Sequence, residues 1–312
     1  MLDDLNGRVA VVTGGGSGIG RGLALAFGGE GMTVAVADIQ KANAEAVAAE
    51  IGAAGGRAFG IAVDVTSAES LAAAAKEVCA RAGGVNLLCA NAGVLARIGS
   101  LPDHTIEDWE YTLSVNVMGV VKTVNAFLPA LRERAPDAHI VNTASLGGLI
   151  AEVRAPLGAY IASKYACVGY SEMLRLELAD EGIGVSVLCP GVVTSNLTQT
   201  SAQNRPDGFG EQAAPQLASM GGAGAAAAQL AAQAMPAEEV GPIAAVAATV
   251  PRVEERVDLP VPQAVFTVGG HRLGRKIRMH ACMHHRTSGR KKGRGPRAMA
   301  RAALCSVAGC NQ

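Results

Sequence analysis

RVAVVTGGGSGIGRGLALAFGG, residues 8–29, decides the fold. After Arg8, the strand RVAVVT (8–13) is β-branched or small and ends at glycine, the pattern of a short strand buried on both faces. From Gly14 the chain enters a glycine turn, then a helix running to Gly29. Gly14 suits the tight turn; Gly18 and Gly20 let a pyrophosphate approach the backbone and let helix pack on strand. The helix N-terminus offers N–H groups and a positive dipole to such an anion. Glycine fills 39 of 312 positions, so the string alone is a weak signal, and its strand–turn–helix placement carries the reading against a plain turn.

The alternation continues outward. TVAVAD (33–38), AFGIAVDV (58–65), VNLLCANAG (85–93), HIVNTAS (139–145) and GVSVLCPG (184–191) read as further strands. Helices are expected over 41–53, from a Ser67 cap to about Arg81, from Thr105 to about 134, and over 158–181. Glu107 and Asp108 supply the helix from Thr105 with an acidic first turn. This order predicts an α/β protein, a doubly wound parallel sheet in three layers, with functional loops at the carboxyl ends of the strands. Beyond 195 the pattern weakens. Residues 196–235 are rich in Ala, Gly and Gln, Pro236-Ala-Glu-Glu opens a helix that ends before Pro251, and VPQAVFTVGG (261–270) offers one more strand.

The strand ends carry the chemistry. Asp38 closes the second strand, where a carboxylate accepts both ribose hydroxyls of an adenosine and repels a 2′-phosphate. No Lys or Arg stands beside it before Lys41, which favours NAD over NADP; the plain alternative is a helix cap. Asp64 is placed to meet the adenine, with Val65 against the ring. Asn91, Ala92 and Gly93 end the fourth strand, an Asn to tie strand ends and small neighbours to leave room. Asn116 sits mid-helix in SVNVMG, where Asn is a poor helix former; it bends the helix, orders a water beside Lys164, or faces solvent. Pro190, Gly191, Val193 and Thr194 follow the sixth strand, with backbone and hydroxyl suited to a carboxamide. Tyr160 and Lys164, four residues apart in GAYIASKYA, share one helix face. A cation one turn away stabilises a phenolate, which fits a tyrosine for general acid/base work on a carbonyl–alcohol pair. Ser145, fifteen residues upstream, donates a hydrogen bond to the same oxygen. Alone, YxxxK is as easily an ordinary helix surface.

Composition bounds the rest. Hydrophobic residues make up 49% of the chain, charged ones 17% and aromatics 3%, so Ala, Val, Leu and Ile must fill one large core. Eleven of the 27 Lys/Arg and none of the 27 Asp/Glu lie in 271–312, leaving an acidic body with sixteen basic groups and a basic tail. Cys79, Cys89, Cys167 and Cys189 read as small core residues of a reducing, cytoplasmic protein. No signal peptide or membrane span is evident, and the tail Cys and His lack zinc spacing, so no metal is expected. The tail, 271–312, reads as a solvated disordered segment, an out-of-frame extension, or a nucleic-acid or anionic-lipid binder.

Together these motifs resemble the short-chain dehydrogenase/reductase family in its single-domain form, over roughly residues 5–195. The resemblance rests on TGGGSGIG, Asp38, VDV with Asp64, NAG at 91–93, Trp109, VN at 115–116, Ser145, Tyr160 with Lys164, and PG at 190–191. It implies a Rossmann-fold oxidoreductase over residues 1–270 that moves hydride between NAD, less readily NADP, and a secondary alcohol or ketone. Tyr160 would be the acid/base. Lys164 would assist it and bind the nicotinamide ribose, Ser145 would orient the substrate oxygen, and Asn116 would hold a relay water. Gly14, Ser17, Gly18, Ile19 and Gly20 would hold the pyrophosphate. A homotetramer or homodimer pairing the helices about 105–134 and 158–181 is implied, with no nucleic-acid or membrane partner. Two features depart from the family: a Ser145–Tyr160 interval about two residues long, with the surplus in 151–157, and the tail. The rival readings are a non-catalytic dinucleotide sensor with a nucleic-acid-binding tail, and a reductase of carrier-linked ketones, which would want NADPH.

Overall fold

The computed structural model describes residues 2, 4–150, 156–210, 234–242, 244, 265–268 and 279–281. Strands β1 (Val9–Thr13), β2 (Thr33–Asp38), β3 (Arg57–Ala62), β4 (Leu87–Ala90), β5 (His139–Thr143) and β6 (Gly184–Pro190) form a parallel sheet in the order β6-β5-β4-β1-β2-β3. The order reverses between β1 and β4, and ligands of such sheets sit outside the strand ends at that point. In β1, Val9 and Val11 join one apolar cluster while Ala10 and Val12 join another. The alternation is what a strand buried on both faces requires.

Helices α1 (Gly18–Gly29) and α2 (Lys41–Ala53) cover one face through Leu23, Phe27, Val47 and Ile51. On the other lie α3 (Ala68–Ala82), α4 (Ile106–Leu113), α5 (Val120–Arg132) and α6 (Gly158–Glu177), led by Leu71, Tyr111, Phe127 and Leu174. Ser67 caps α3 by accepting the Ser70 N–H, and Thr105 and Asp108 form a reciprocal capping box on α4. The run Ile106–Arg132 is long and apolar enough to cross a membrane, yet Val124, Phe127 and Leu131 bury it against the sheet.

Several expectations need correction. The helix from Thr105 does run on to Arg132, but it is not α throughout: Ser114–Gly119 form a π turn between α4 and α5, with Asn116 inside it. The Tyr160 helix stops at Glu177. The sheet is not wholly parallel. Strand β9 (Val265–Val268) runs antiparallel to β6, and β10 (Met279–Ala281), inside a segment with no strand period in its sequence, runs antiparallel to β9. Strand β7 (Val193–Thr194) pairs with β8 (Met235–Pro236) in a separate two-stranded sheet, and α7 (Leu197–Gln203) follows β7. Residues 151–155, residues 211–233 of the Ala-, Gly- and Gln-rich stretch, and the rest of the tail lie outside the described residues.

Candidate active site

The glycine loop is tied to its neighbours from both sides. Thr13 Oγ1 donates to the Cys89 carbonyl and accepts the N–H groups of Asn91 and Ala92. Asn91 Nδ2 returns a bond of 3.0 Å to the Thr13 carbonyl, so β1 and β4 end locked together. Gly14 adopts φ +63° and Gly18 +49°, both in the left-handed region that glycine tolerates. A Cβ on Gly20 would lie 2.0 Å from the Gly14 carbonyl oxygen, which excludes every other residue there. Ser17 N-caps α1 without a side-chain bond, and the first turn holds no acid. Its leading N–H groups and dipole therefore suit an anion. Ile19 packs partly buried against the α1 cluster.

Asp38 reaches back across this loop. Its Oδ2 accepts the Gly16 N–H at 2.9 Å and its Oδ1 the Gln40 N–H at 3.0 Å. A carboxylate has about four acceptor positions, so capacity remains for ribose hydroxyls. Asp64 Oδ1 accepts both the N–H and the hydroxyl of Thr66, while Val65 is buried in the core beside Gly119. The loop and carboxylate thus fit a dinucleotide by their own geometry.

Across the switch point, Asn116 and Lys164 flank Gly93, with the Tyr160 ring beside Lys164. Lys164 is 3% exposed; its Nζ donates to the Thr143 carbonyl at 3.0 Å and stands 5.5 Å from the Tyr160 ring centroid. Asn116 is fully buried. Its Oδ1 accepts the Val94 N–H at 2.8 Å, and its Nδ2 donates to the Val94 carbonyl and to Ser163 Oγ. Ser163 Oγ then donates to the Tyr160 carbonyl at 2.6 Å. A Cβ on Gly93 would lie 3.2 Å from Asn116 Oδ1 and 3.5 Å from Lys164 Nζ, so Gly93 sits between them. Ser145 caps the short 3-10 turn Leu146–Gly148 and accepts the Gly147 N–H. That turn docks on α6, with Gly148 against the Lys164 carbonyl. The bend at Asn116 answers why a poor helix former stands there: its amide is committed to the strand end and to α6.

Pro190 ends β6, Gly191 follows it half-buried, and Val193 and Thr194 lie in β7. The next residue, Ser195, comes against Gly18, where an added Cβ would lie 3.3 Å from Ser195 Cβ. Beneath the site Cys167 and Cys189 are buried, and loss of water around Cys189 pushes its thiol up to about 12.

A family model described as short chain dehydrogenase matches residues 8–206. The chain belongs to the short-chain dehydrogenase family. The probable oxidoreductase EphD of Mycobacterium tuberculosis (strain ATCC 25618 / H37Rv) is 40% identical to it over 198 residues, covering 62% of this chain and 32% of EphD. This short-chain dehydrogenase therefore spans about a third of the length of that relative. The C alpha-dehydrogenase of Sphingobium sp. (strain NBRC 103272 / SYK-6) is 35% identical over 209 residues, covering 67% of this chain and 68% of the other. Among solved structures, a short chain dehydrogenase/reductase from Burkholderia phymatum in complex with NAD is 33% identical with a TM-score of 0.70, covering 79% of this chain and 87% of that one.

Sequence reasoning passed over several working residues of this dehydrogenase. Thr13 and Ser163 stand inside the recognised motifs and were open to reading as hydrogen-bonding neighbours. Gln40 and Arg205 carry no local signal for their contacts, because Asn204 and Asp108 lie 164 and 97 residues away.

Proposed function

We propose that this dehydrogenase uses Tyr160 as general acid/base to interconvert a secondary alcohol and a ketone, with NAD preferred to NADP. The observation that carries the reading is the buried Lys164 ammonium, anchored on Thr143 and held beside the Tyr160 ring. Burial of a cation is costly, and a reaction that develops negative charge at the neighbouring phenol oxygen gives it a purpose.

In the oxidative direction the Tyr160 oxygen takes the proton of the substrate hydroxyl as the carbinol C–H bond breaks. Ser145 Oγ donates a hydrogen bond to the substrate oxygen and holds it against Tyr160. Lys164 Nζ stands beside the ring and would meet the ribose hydroxyls. Asn116 holds the wall through which the proton passes to water. The nicotinamide, when bound, supplies hydride transfer. Gly14, Ser17, Gly18, Ile19 and Gly20 would hold the pyrophosphate, Asp38 the adenosine ribose, and Asp64 with Val65 the adenine edge. Asn91, Ala92 and Gly93 would line the ribose side, and Pro190, Gly191, Val193 and Thr194 the carboxamide. We take residues 1–270 as the dehydrogenase unit. We also take the outer faces of α4–α5 and α6 as surfaces that pair in a homodimer or homotetramer.

The test is an assay at the reduced-nicotinamide absorbance band, with a panel of secondary alcohols and ketones and both NAD and NADP. Wild type should turn over with NAD preferred. Tyr160→Phe should lose nearly all turnover, more than about a hundredfold, while still binding NADH. Near-normal turnover in Tyr160→Phe would remove that residue from the chemistry. In Asp38→Ala the NAD preference should relax, and an unchanged NAD/NADP ratio would remove Asp38 from selection.

A further inference from the structure

We propose that Gln40 and Asn204 form a latch that retains the dinucleotide, with α7 as the strap it fastens. The proposal rests on the cofactor reading above. Gln40 Nε2 donates to Asn204 Oδ1 at 2.8 Å, joining residues 164 apart in sequence. Gln40 belongs to the Asp38 wall, because its N–H is held by Asp38 Oδ1. Asn204 is the C-cap of α7.

The strap leaves the glycine loop at Ser195, against Gly18. It is then fixed to the opposite wall by three contacts. Ser201 Oγ accepts the Leu95 N–H at 2.8 Å, the Ser201 carbonyl accepts the Tyr111 hydroxyl at 3.1 Å, and Arg205 pairs with Asp108 at 2.8 Å. Leu95 follows the NAG segment, and Tyr111 and Asp108 lie on α4. These three contacts are buried or partly buried. The bond from Asn204 to Gln40 is exposed and closes the strap back onto the adenosine side. An exposed neutral hydrogen bond is weak and opens readily. The Gln40 edge is therefore the one that parts while α7 stays docked on α4.

The experiment is stopped-flow release of NADH, read by its fluorescence, from wild type, Gln40→Ala, Asn204→Ala, the double variant and Asn204→Asp. Each alanine variant should release NADH about fivefold faster. The double variant should be no faster than either single one, because both remove the same bond. Asn204→Asp keeps the acceptor and should restore slow release. Thermal midpoints should agree among the variants, since Gln40 is exposed, Asn204 is half-buried and the bond between them lies at the surface. Repeating the series in a Tyr160→Phe background, which retains the cofactor site, should give the same ratios. Release rates equal to wild type, or effects that multiply independently, would overturn the latch alone. A wild type that binds no NADH would overturn both the latch and the dinucleotide reading.

Discussion

The Arg205 guanidinium and the Asp108 carboxylate pair at 2.8 Å with both side chains only 3% exposed. The same carboxylate accepts the Thr105 N–H in the α4 capping box, and Arg205 also donates to the Phe209 and Gly210 carbonyls. One ion pair thus joins the start of α4 to the chain beyond α7. Removing one partner of a buried pair strands the other charge, at a cost of about 3–5 kcal/mol. Arg97 Nη1 remains 3.6 Å from Asp108 and softens the loss. Arg205→Leu should therefore lower unfolding stability by about 3 kcal/mol, the low end of that range, measured by urea denaturation. A change within experimental error would show that Arg97 alone satisfies the carboxylate.

Acid should weaken the fold through His139, at the start of β5, the strand that leads to Ser145. Its Nε2 lies 2.9 Å from Ser186 Oγ, and burial first, then the N-terminal ammonium, pushes its pKa down to about 3. The folded protein keeps the ring neutral while the unfolded chain takes up a proton below about pH 6.5. Stability is thus full above about pH 6.5, falls as pH drops towards about 3, and levels below that. Urea midpoints across this window should decline in wild type and decline less in His139→Asn. Equal slopes in the two proteins would assign the acid sensitivity to other groups.

The assembly reading puts weight on the outer face of α6. Met173 and Leu176 are 54% and 56% exposed, three residues apart on one face, and Ile106 on α4 is 68% exposed. If this face meets a second copy, Met173→Glu places a charge in an apolar contact. It should weaken association by at least about tenfold, with light scattering showing a smaller species than wild type. An unchanged mass at low micromolar protein would move the interface elsewhere.

Much of the fold was legible because its signals are local. The strand TVAVAD and the helix 41–53 begin and end where periodicity and flanking residues place them. The Thr105 and Ser67 caps declare themselves by side chains three residues from their partners. The sequence also brought Lys164 to Tyr160, since one helical turn determines that pairing. What it hid depends on distance along the chain. The π turn at Asn116 is imposed by Val94 and Ser163, neither of which a helical period encodes. Strand β9 runs antiparallel to β6, and direction leaves no mark on a strand's composition. Arg205 looks like any charged loop residue until Asp108 is found beside it.

Asp38 Oδ2 bonds to the Gly16 amide. One carboxylate thereby joins two properties that an engineer would wish to alter separately. On the cofactor reading proposed above, replacing it to admit a phosphorylated ribose would also unpin the loop that would hold the pyrophosphate. A successful swap of coenzyme must therefore bring two parts: a cation for the new phosphate and a fresh acceptor for Gly16. On that reading, drift by single substitutions would pass through a protein that grips either coenzyme poorly, and preference at this position would be inherited as a block.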